Sequence, residues 1–158
     1  MGRRLVTIAV LTVALSAVGA VMTASGALAD PKTATFNVQL SGAAEVCPTA
    51  PGTCGGPGTG TATIEIDRNA RTLCYSITTQ NVALPLLAAH IHVAPVGQAG
   101  PVVIPLFTQP MNAATVGRTC LADLDKNLLK AIIRNPQDYY VNVHNAAFPN
   151  GAVRGQLA

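Results

Sequence analysis

Short segments in which polar and apolar residues alternate, separated by turn-forming residues, recur along most of this 158-residue chain. Successive side chains of a β-strand point to opposite faces, so the alternation predicts half-buried strands. At Thr35–Leu40, for example, Phe36, Val38 and Leu40 would share one face. Further strands are predicted at residues 62–66, 73–78, 89–93, 102–106, 139–144 and 152–157. A short polar connection between 62–66 and 73–78 predicts a hairpin.

One helix interrupts this series of strands. Asp123 is a candidate N-cap, and Asn135-Pro136 would end the helix. Its apolar face would consist of residues at helical spacing: Leu124, Leu128, Ala131 and Ile132. A parallel sheet needs a helix between successive strands, and one helix cannot supply them. The sequence therefore predicts an all-β fold, an antiparallel β-sandwich or barrel with one short helix.

The N-terminal region has the pattern of a secretory signal. Arg3 and Arg4 precede the uncharged apolar stretch Leu5–Val21, and Ala27-Leu28-Ala29 has the small residues that a signal peptidase requires. We expect a signal peptide at 1–29 and one β domain at 30–158. The alternative is a retained membrane anchor, although an apolar stretch of this length is at the lower limit for crossing a bilayer.

The charge of the predicted mature chain is close to neutral. Eight of the ten Lys and Arg residues would remain after cleavage, against all seven acids, for a net charge of about +1. No basic field that could hold nucleic acid survives. We therefore expect a secreted or extracytoplasmic protein that binds no nucleic acid and, once the signal is removed, no membrane.

Four cysteines lie in the predicted mature part, and an even number in a small exported domain indicates disulfides. Three pairings are open. We favour Cys47–Cys54, because both lie in the Pro- and Gly-rich loop 43–60, which leaves Cys74 with Cys120. A zinc site is the alternative, but the cysteine spacing matches no common zinc pattern.

Several blocks of the chain resemble the CHRD (chordin-type) domain. They are His90-Ile91-His92, Gly100-Pro101-Val102-Val103, Asn135-Pro136, Tyr139–His144 and Phe148–Leu157. The resemblance extends from about Thr33 to Leu157, with small departures at Asn145, where Thr is usual, and in the Cys47–Cys54 loop. It implies an extracellular domain with an immunoglobulin-like β-sandwich or barrel. In animal chordin such repeats belong to an antagonist of secreted growth factors, whereas bacteria have single exported domains without an established activity, so function does not transfer.

All three histidines fall in these blocks, and two interpretations apply to them. His90 and His92 are two apart on a predicted strand and would share a face, and His144 ends another strand. Three such imidazoles could bind copper or zinc, and Ala89–His92 faintly resembles the copper-binding strand of copper–zinc superoxide dismutases. The other interpretation, which we favour here, is a structural network whose polar partners are Asn142, Arg154 and Gln156. Imidazole nitrogens that converge within about 4 Å with an open side would favour a metal, whereas separated nitrogens, or a plug of Arg154 or Asn142, would rule the metal out.

Signals for catalysis are poor. No serine lies in a nucleophile elbow, and the chain has no Trp with which to line a sugar-binding cleft. We expect a non-enzymatic binding or structural module without a cofactor, whose partner is an extracellular protein or cell-surface component. The alternative is a copper- or zinc-binding protein that uses His90, His92 and His144.

Overall fold

The computed structural model describes residues 2, 30–47 and 52–158. They form eight β-strands and, within these ranges, one α-helix. The strands are β1 (Thr33–Ser41), β2 (Thr59–Asp67), β3 (Thr72–Gln80), β4 (Leu86–Val93), β5 (Val102–Phe107), β6 (Thr115–Leu121), β7 (Tyr139–Asn145) and β8 (Val153–Gln156), and the helix is α1 (Lys126–Arg134).

All eight strands belong to one antiparallel sheet, in the order β5-β4-β7-β8-β1-β2-β3-β6. The sheet curls until its two ends approach each other. The Tyr75 hydroxyl of β3 donates a hydrogen bond of 2.8 Å to the Leu106 carbonyl of β5, which is near the other end of the strand order. The result is a nearly closed barrel, which confirms the predicted all-β class with its single short helix.

The alternation in the sequence determines which side chains fill this barrel. Ile64, Leu73, Ile91, Val141 and Val153 are all fully buried. On β1, Val38 and Leu40 are buried while Asn37 and Gln39 are exposed, as the period of two requires. Each predicted strand is present, and most extend one to three residues beyond the predicted bounds.

The structure corrects two local predictions. Strand β6, of sequence TVGRTCL, was not predicted, because it is an edge strand whose residues are mostly exposed and therefore lack the apolar alternation. The helix begins later than expected. Its N-cap is Asp125, whose side chain accepts hydrogen bonds from the backbone N–H groups of Asn127 and Leu128, while Asp123 adopts a positive φ of 58° in the preceding turn.

Two disulfides are present in the predicted pairing, Cys47–Cys54 and Cys74–Cys120. The second joins residues that face each other on β3 and β6. Near the start of the domain, Asp30 forms ion pairs with Arg68 and with two residues of α1, Lys130 and Arg134.

The predicted secretory signal falls outside the described residues, apart from Gly2, so its presence and its cleavage before Asp30 stay predictions. No helix in the described part of the chain is both long and apolar enough to cross a membrane.

Candidate functional site

The three histidines meet because β4 and β7 pair in a particular register. In this antiparallel pair His90 lies opposite Asn142, His92 opposite Tyr140, and Ala88 opposite His144. Residues two apart on a strand share a face, so the histidines and Asn142 project from the same side of the sheet. The expectation that His90 and His92 share a face is met, and the register brings His144, whose position the sequence left open, to the same side.

The imidazole nitrogens converge. His90 Nδ1 lies 3.1 Å from His144 Nε2, and one nitrogen from each of the three rings falls within 4.8 Å of the other two. Bonds of about 2.0–2.1 Å to a tetrahedral zinc ion place two nitrogens about 3.3 Å apart. The His90–His144 pair is therefore close to the separation that two ligands of one ion require.

Backbone carbonyls determine which nitrogen carries the proton on two of the rings. His92 Nδ1 lies 2.8 Å from the Gly100 oxygen, and His144 Nδ1 lies 3.0 Å from the Pro149 oxygen. A carbonyl can only accept, so both Nδ1 atoms donate. In the neutral ring the other nitrogen is then bare, so His92 Nε2 and His144 Nε2 each direct a lone pair into the cluster.

Asn142 lies between these two lone pairs. Its Oδ1 is 3.0 Å from His92 Nε2 and 3.0 Å from His144 Nε2, so an acceptor faces two acceptors. Two arrangements resolve the conflict. Rotation of the amide turns its NH2 group toward the rings, where it can donate to His92 Nε2, while the His144 Nε2 lone pair can also accept from His90 Nδ1 at 3.1 Å. Alternatively, a cation between them is coordinated by the amide oxygen and the nitrogens together. The three nitrogens lie within 4.8 Å of one another, a wider limit than the roughly 4 Å expected of a metal site, and Asn142 occupies the position of the plug that favours the structural network.

Burial keeps the imidazoles neutral. Burial, and after it the neighbouring His144 and His92, lower the pKa of His90 from 6.5 to about 4. Burial is also the main cause that lowers the pKa values of His92 and His144. Only neutral imidazole coordinates a metal, so all three rings are in the ligand form at neutral pH.

Arg154 and Gln156, predicted as network partners of the histidines, bind the β4–β5 loop instead. Arg154 donates to the carbonyls of Gln98 and Pro95, and Gln156 donates to the carbonyl of Ala94. The Arg154 guanidinium also lies 3.4 Å from the centre of the Tyr140 ring, which stacks on His92 at 4.7 Å. Arg154 thus orients His92 through Tyr140 and does not enter the cluster.

A cavity of about 190 Å³ opens beside the cluster. His92, Asn142 and His144 line one side of it, and Glu45 lines another. Burial raises the pKa of Glu45 to about 7, against the opposing effect of Arg154, and its Oε1 is buried without a hydrogen-bond partner among the described residues. The sequence reasoning missed Glu45. Its one signal is that it is the sole charged residue between 43 and 60.

Comparison with known proteins agrees with the resemblance seen in the sequence. A family model of the CHRD domain matches residues 36–157, which include the three histidines, Asn142, Glu45 and all four cysteines. No curated protein and no solved structure matches the chain. Because the family model covers most of its length, the chain belongs to the CHRD-domain family.

Proposed function

We propose that this protein is a non-enzymatic extracytoplasmic module that binds a divalent transition-metal ion, copper(II) or zinc(II), through His90, His92 and His144. The observation that carries the proposal is the fixed protonation of two rings. Because His92 and His144 donate from Nδ1 to backbone carbonyls, their Nε2 lone pairs both point at the Asn142 amide, which can turn its oxygen toward a cation between them. Several lone pairs directed at one place describe the ligand shell of a cation.

The surroundings of the histidines also suit a metal. Histidine ligands commonly donate their second ring N–H to a carbonyl or carboxylate, which fixes the ring and makes the ligand nitrogen more basic. Gly100 and Pro149 supply such carbonyls here. Imidazole favours zinc and copper, whereas calcium and magnesium prefer sites made entirely of oxygen ligands.

An extracytoplasmic location is supported by one sequence prediction and one structural observation. The predicted signal at 1–29 would direct export, and disulfides such as Cys47–Cys54 and Cys74–Cys120 persist in oxidising compartments. The same location would allow the module to meet an extracellular protein or cell-surface partner.

Thermal unfolding with and without metal tests the proposal. Zinc(II) or copper(II) should raise the Tm of the protein, with a stabilisation of about 2.7 kcal/mol at a hundredfold excess over Kd. The gain should disappear as the pH falls toward about 4, where the His90 imidazole becomes protonated and can no longer coordinate. It should also disappear in the variant His90→Ala/His92→Ala. The control is Thr61→Ala/Thr63→Ala, which replaces two residues that are likewise two positions apart on a strand, β2, and retains the three histidines.

A structural network alone predicts the opposite response. Metal would leave the Tm of the unaltered protein unchanged, and the His90→Ala/His92→Ala variant would lose about 1–3 kcal/mol per unpaired buried group even in chelator. That pair of results would refute metal binding.

A further inference from the structure

The Cys47–Cys54 disulfide and the residues that flank it, 45–47 and 52–56, are the part of the Cys47–Cys54 loop that the structure describes, and this part is attached to the turn that holds His144 in place. Gly55 N–H donates to the Gly151 carbonyl at 2.9 Å, and Gly56 N–H donates to the Ala152 carbonyl at 3.2 Å. In the other direction, Asn150 N–H donates to the Thr53 carbonyl at 3.0 Å. Residues 53–56 and the β7–β8 turn therefore form one hydrogen-bonded unit.

This unit reaches the histidine cluster from two sides. The turn carries Pro149, whose carbonyl accepts the His144 Nδ1 proton. The loop carries Glu45, which lines the cavity beside His92 and His144. The Glu45 carboxyl lies directly against Gly151, where φ is +125° and a Cβ atom would collide with it.

The negative charge of Glu45 could balance the positive charge of a metal ion bound by the histidines. The three imidazoles and the Asn142 amide are neutral ligands, and the nearby Arg154 is cationic, so a divalent ion would meet no compensating charge from them. Glu45 is the one acid among the residues that line the cavity. Its Oε1 has no hydrogen-bond partner within the described part of the chain, although a buried carboxylate normally requires one.

We propose that the Cys47–Cys54 loop is a functional part of the metal site: it holds the Glu45 carboxylate in the cavity, where the carboxylate compensates the charge of the ion bound by the three histidines. Glu45 is not a direct ligand, since the mutually close ligand atoms come from the three histidines. It acts across the cavity, which has room for water between carboxylate and ion. The inference rests on the proposed metal binding.

Calorimetric titration of zinc(II) into the folded, oxidised protein tests the inference at pH 7.5. Glu45→Gln keeps the shape of the side chain and removes its charge, and we expect it to weaken binding 10- to 100-fold, as loss of an outer-sphere partner does. Cys47→Ser/Cys54→Ser should weaken binding to a similar extent. Two controls should bind within about threefold of the unaltered protein: Glu65→Gln removes an exposed acid paired with Arg118, and Cys74→Ser/Cys120→Ser opens the disulfide on the β3–β6 edge.

The outcomes separate the two proposals. If the unaltered protein binds neither zinc(II) nor copper(II), the proposed function itself fails. If it binds, and Glu45→Gln binds equally well, this inference alone is overturned. If the Glu45 variant is weakened but Cys47→Ser/Cys54→Ser folds and binds normally, the role of the loop is overturned. Near-UV circular dichroism establishes folding of each variant, and should the double serine variant not fold, the isosteric Glu45→Gln decides.

Discussion

Asn142 is the residue at which the two interpretations of the histidine cluster diverge. It is 2% exposed, and its amide lies within hydrogen-bonding distance of both bare imidazole nitrogens. Without metal it must present its NH2 group to them, and with metal it must present its oxygen. A residue that can donate in one state and ligate in the other suits a site that is filled and emptied.

The substitution Asn142→Asp should therefore have opposite effects with and without metal. The ionised carboxylate cannot donate to His92 or His144, so in chelator we expect a loss of about 1–3 kcal/mol in the free energy of unfolding. A carboxylate is also a stronger zinc ligand than an amide oxygen, so the rise in Tm on adding zinc(II) should exceed that of the unaltered protein.

Asn142→Leu is the control for this prediction, because it retains volume but neither donates nor ligates. It should lose stability in chelator and should gain less than the unaltered protein from zinc(II). A zinc-induced rise for Asn142→Asp no greater than that for Asn142→Leu would show that the side chain at this position does not face a metal.

The sequence predicts some of these residue positions and not others. That His90 and His92 share a face follows from their spacing on one strand, which is a local property. That Asn142 sits between His92 and His144 depends on how β4 pairs with β7, some fifty residues later, and no local pattern encodes that register. Glu45 approaches the site from a loop, where side-chain direction has no periodicity to read.

At the scale of elements, the pattern of buried positions is the most predictable feature and the ends of elements are the least. β2 and β3 were recognisable because Ile64, Ile66, Leu73, Tyr75 and Ile77 alternate with polar residues and fill the barrel. β6 has few such residues and is held by pairing with β3 and by the Cys74–Cys120 bridge, both of which are non-local. The helix start was misplaced by two residues because Asp123 and Asp125 are both acceptable caps.

The position of the cap gives a prediction for α1. Asp125→Ala removes the acceptor for the N–H groups of Asn127 and Leu128 and should lower the free energy of unfolding by about 1 kcal/mol, measured by urea denaturation. Asp125→Asn preserves an acceptor and should change little. Asparagine tolerates the positive φ at position 123 as well as aspartate does, so Asp123→Asn should leave the free energy of unfolding unchanged. If Asp123→Asn lowered the free energy of unfolding as much as Asp125→Ala, the cap would instead be at residue 123.

At the scale of the whole molecule, the barrel is a rigid support for a site built at one place on its surface. The face of β4 and β7 supplies the three histidines, the β4–β5 loop and the β7–β8 turn accept hydrogen bonds from two of the rings, and Glu45, just before Cys47, lines the cavity beside them. Burial displaces the pKa values of the ionisable groups of the site in opposite directions. It lowers those of the imidazoles and raises that of Glu45.

The lowered histidine pKa values and the raised Glu45 pKa have opposite effects on how the free energy of unfolding depends on pH. The lowered His90 pKa means that the unfolded chain binds more protons than the folded protein between about pH 4 and 6.5, so the free energy of unfolding falls as the pH falls through that range. His92 and His144 act in the same direction. The raised Glu45 pKa has the opposite effect: between pH 4.5 and about 7 the folded protein holds the extra proton, so this contribution increases as the pH falls.

The variant Glu45→Gln should therefore separate the two contributions in metal-free protein. Above pH 7 it removes a buried carboxylate and should raise the free energy of unfolding by up to about 3 kcal/mol, which is what a displacement from 4.5 to about 7 represents. As the pH falls toward 4.5 this advantage should vanish, because the carboxyl of the unaltered protein becomes protonated. The free energy of unfolding of the variant therefore falls more steeply with acid, as the histidines alone dictate.

Urea denaturation in chelator from pH 4.5 to 8 measures the free energy of unfolding of both proteins. If the carboxyl were not buried against Gly151, the Glu45→Gln curve would instead run parallel to that of the unaltered protein. A variant that is more stable than the unaltered protein without metal and binds metal more weakly would show that Glu45 is kept at a cost in stability for the sake of the site.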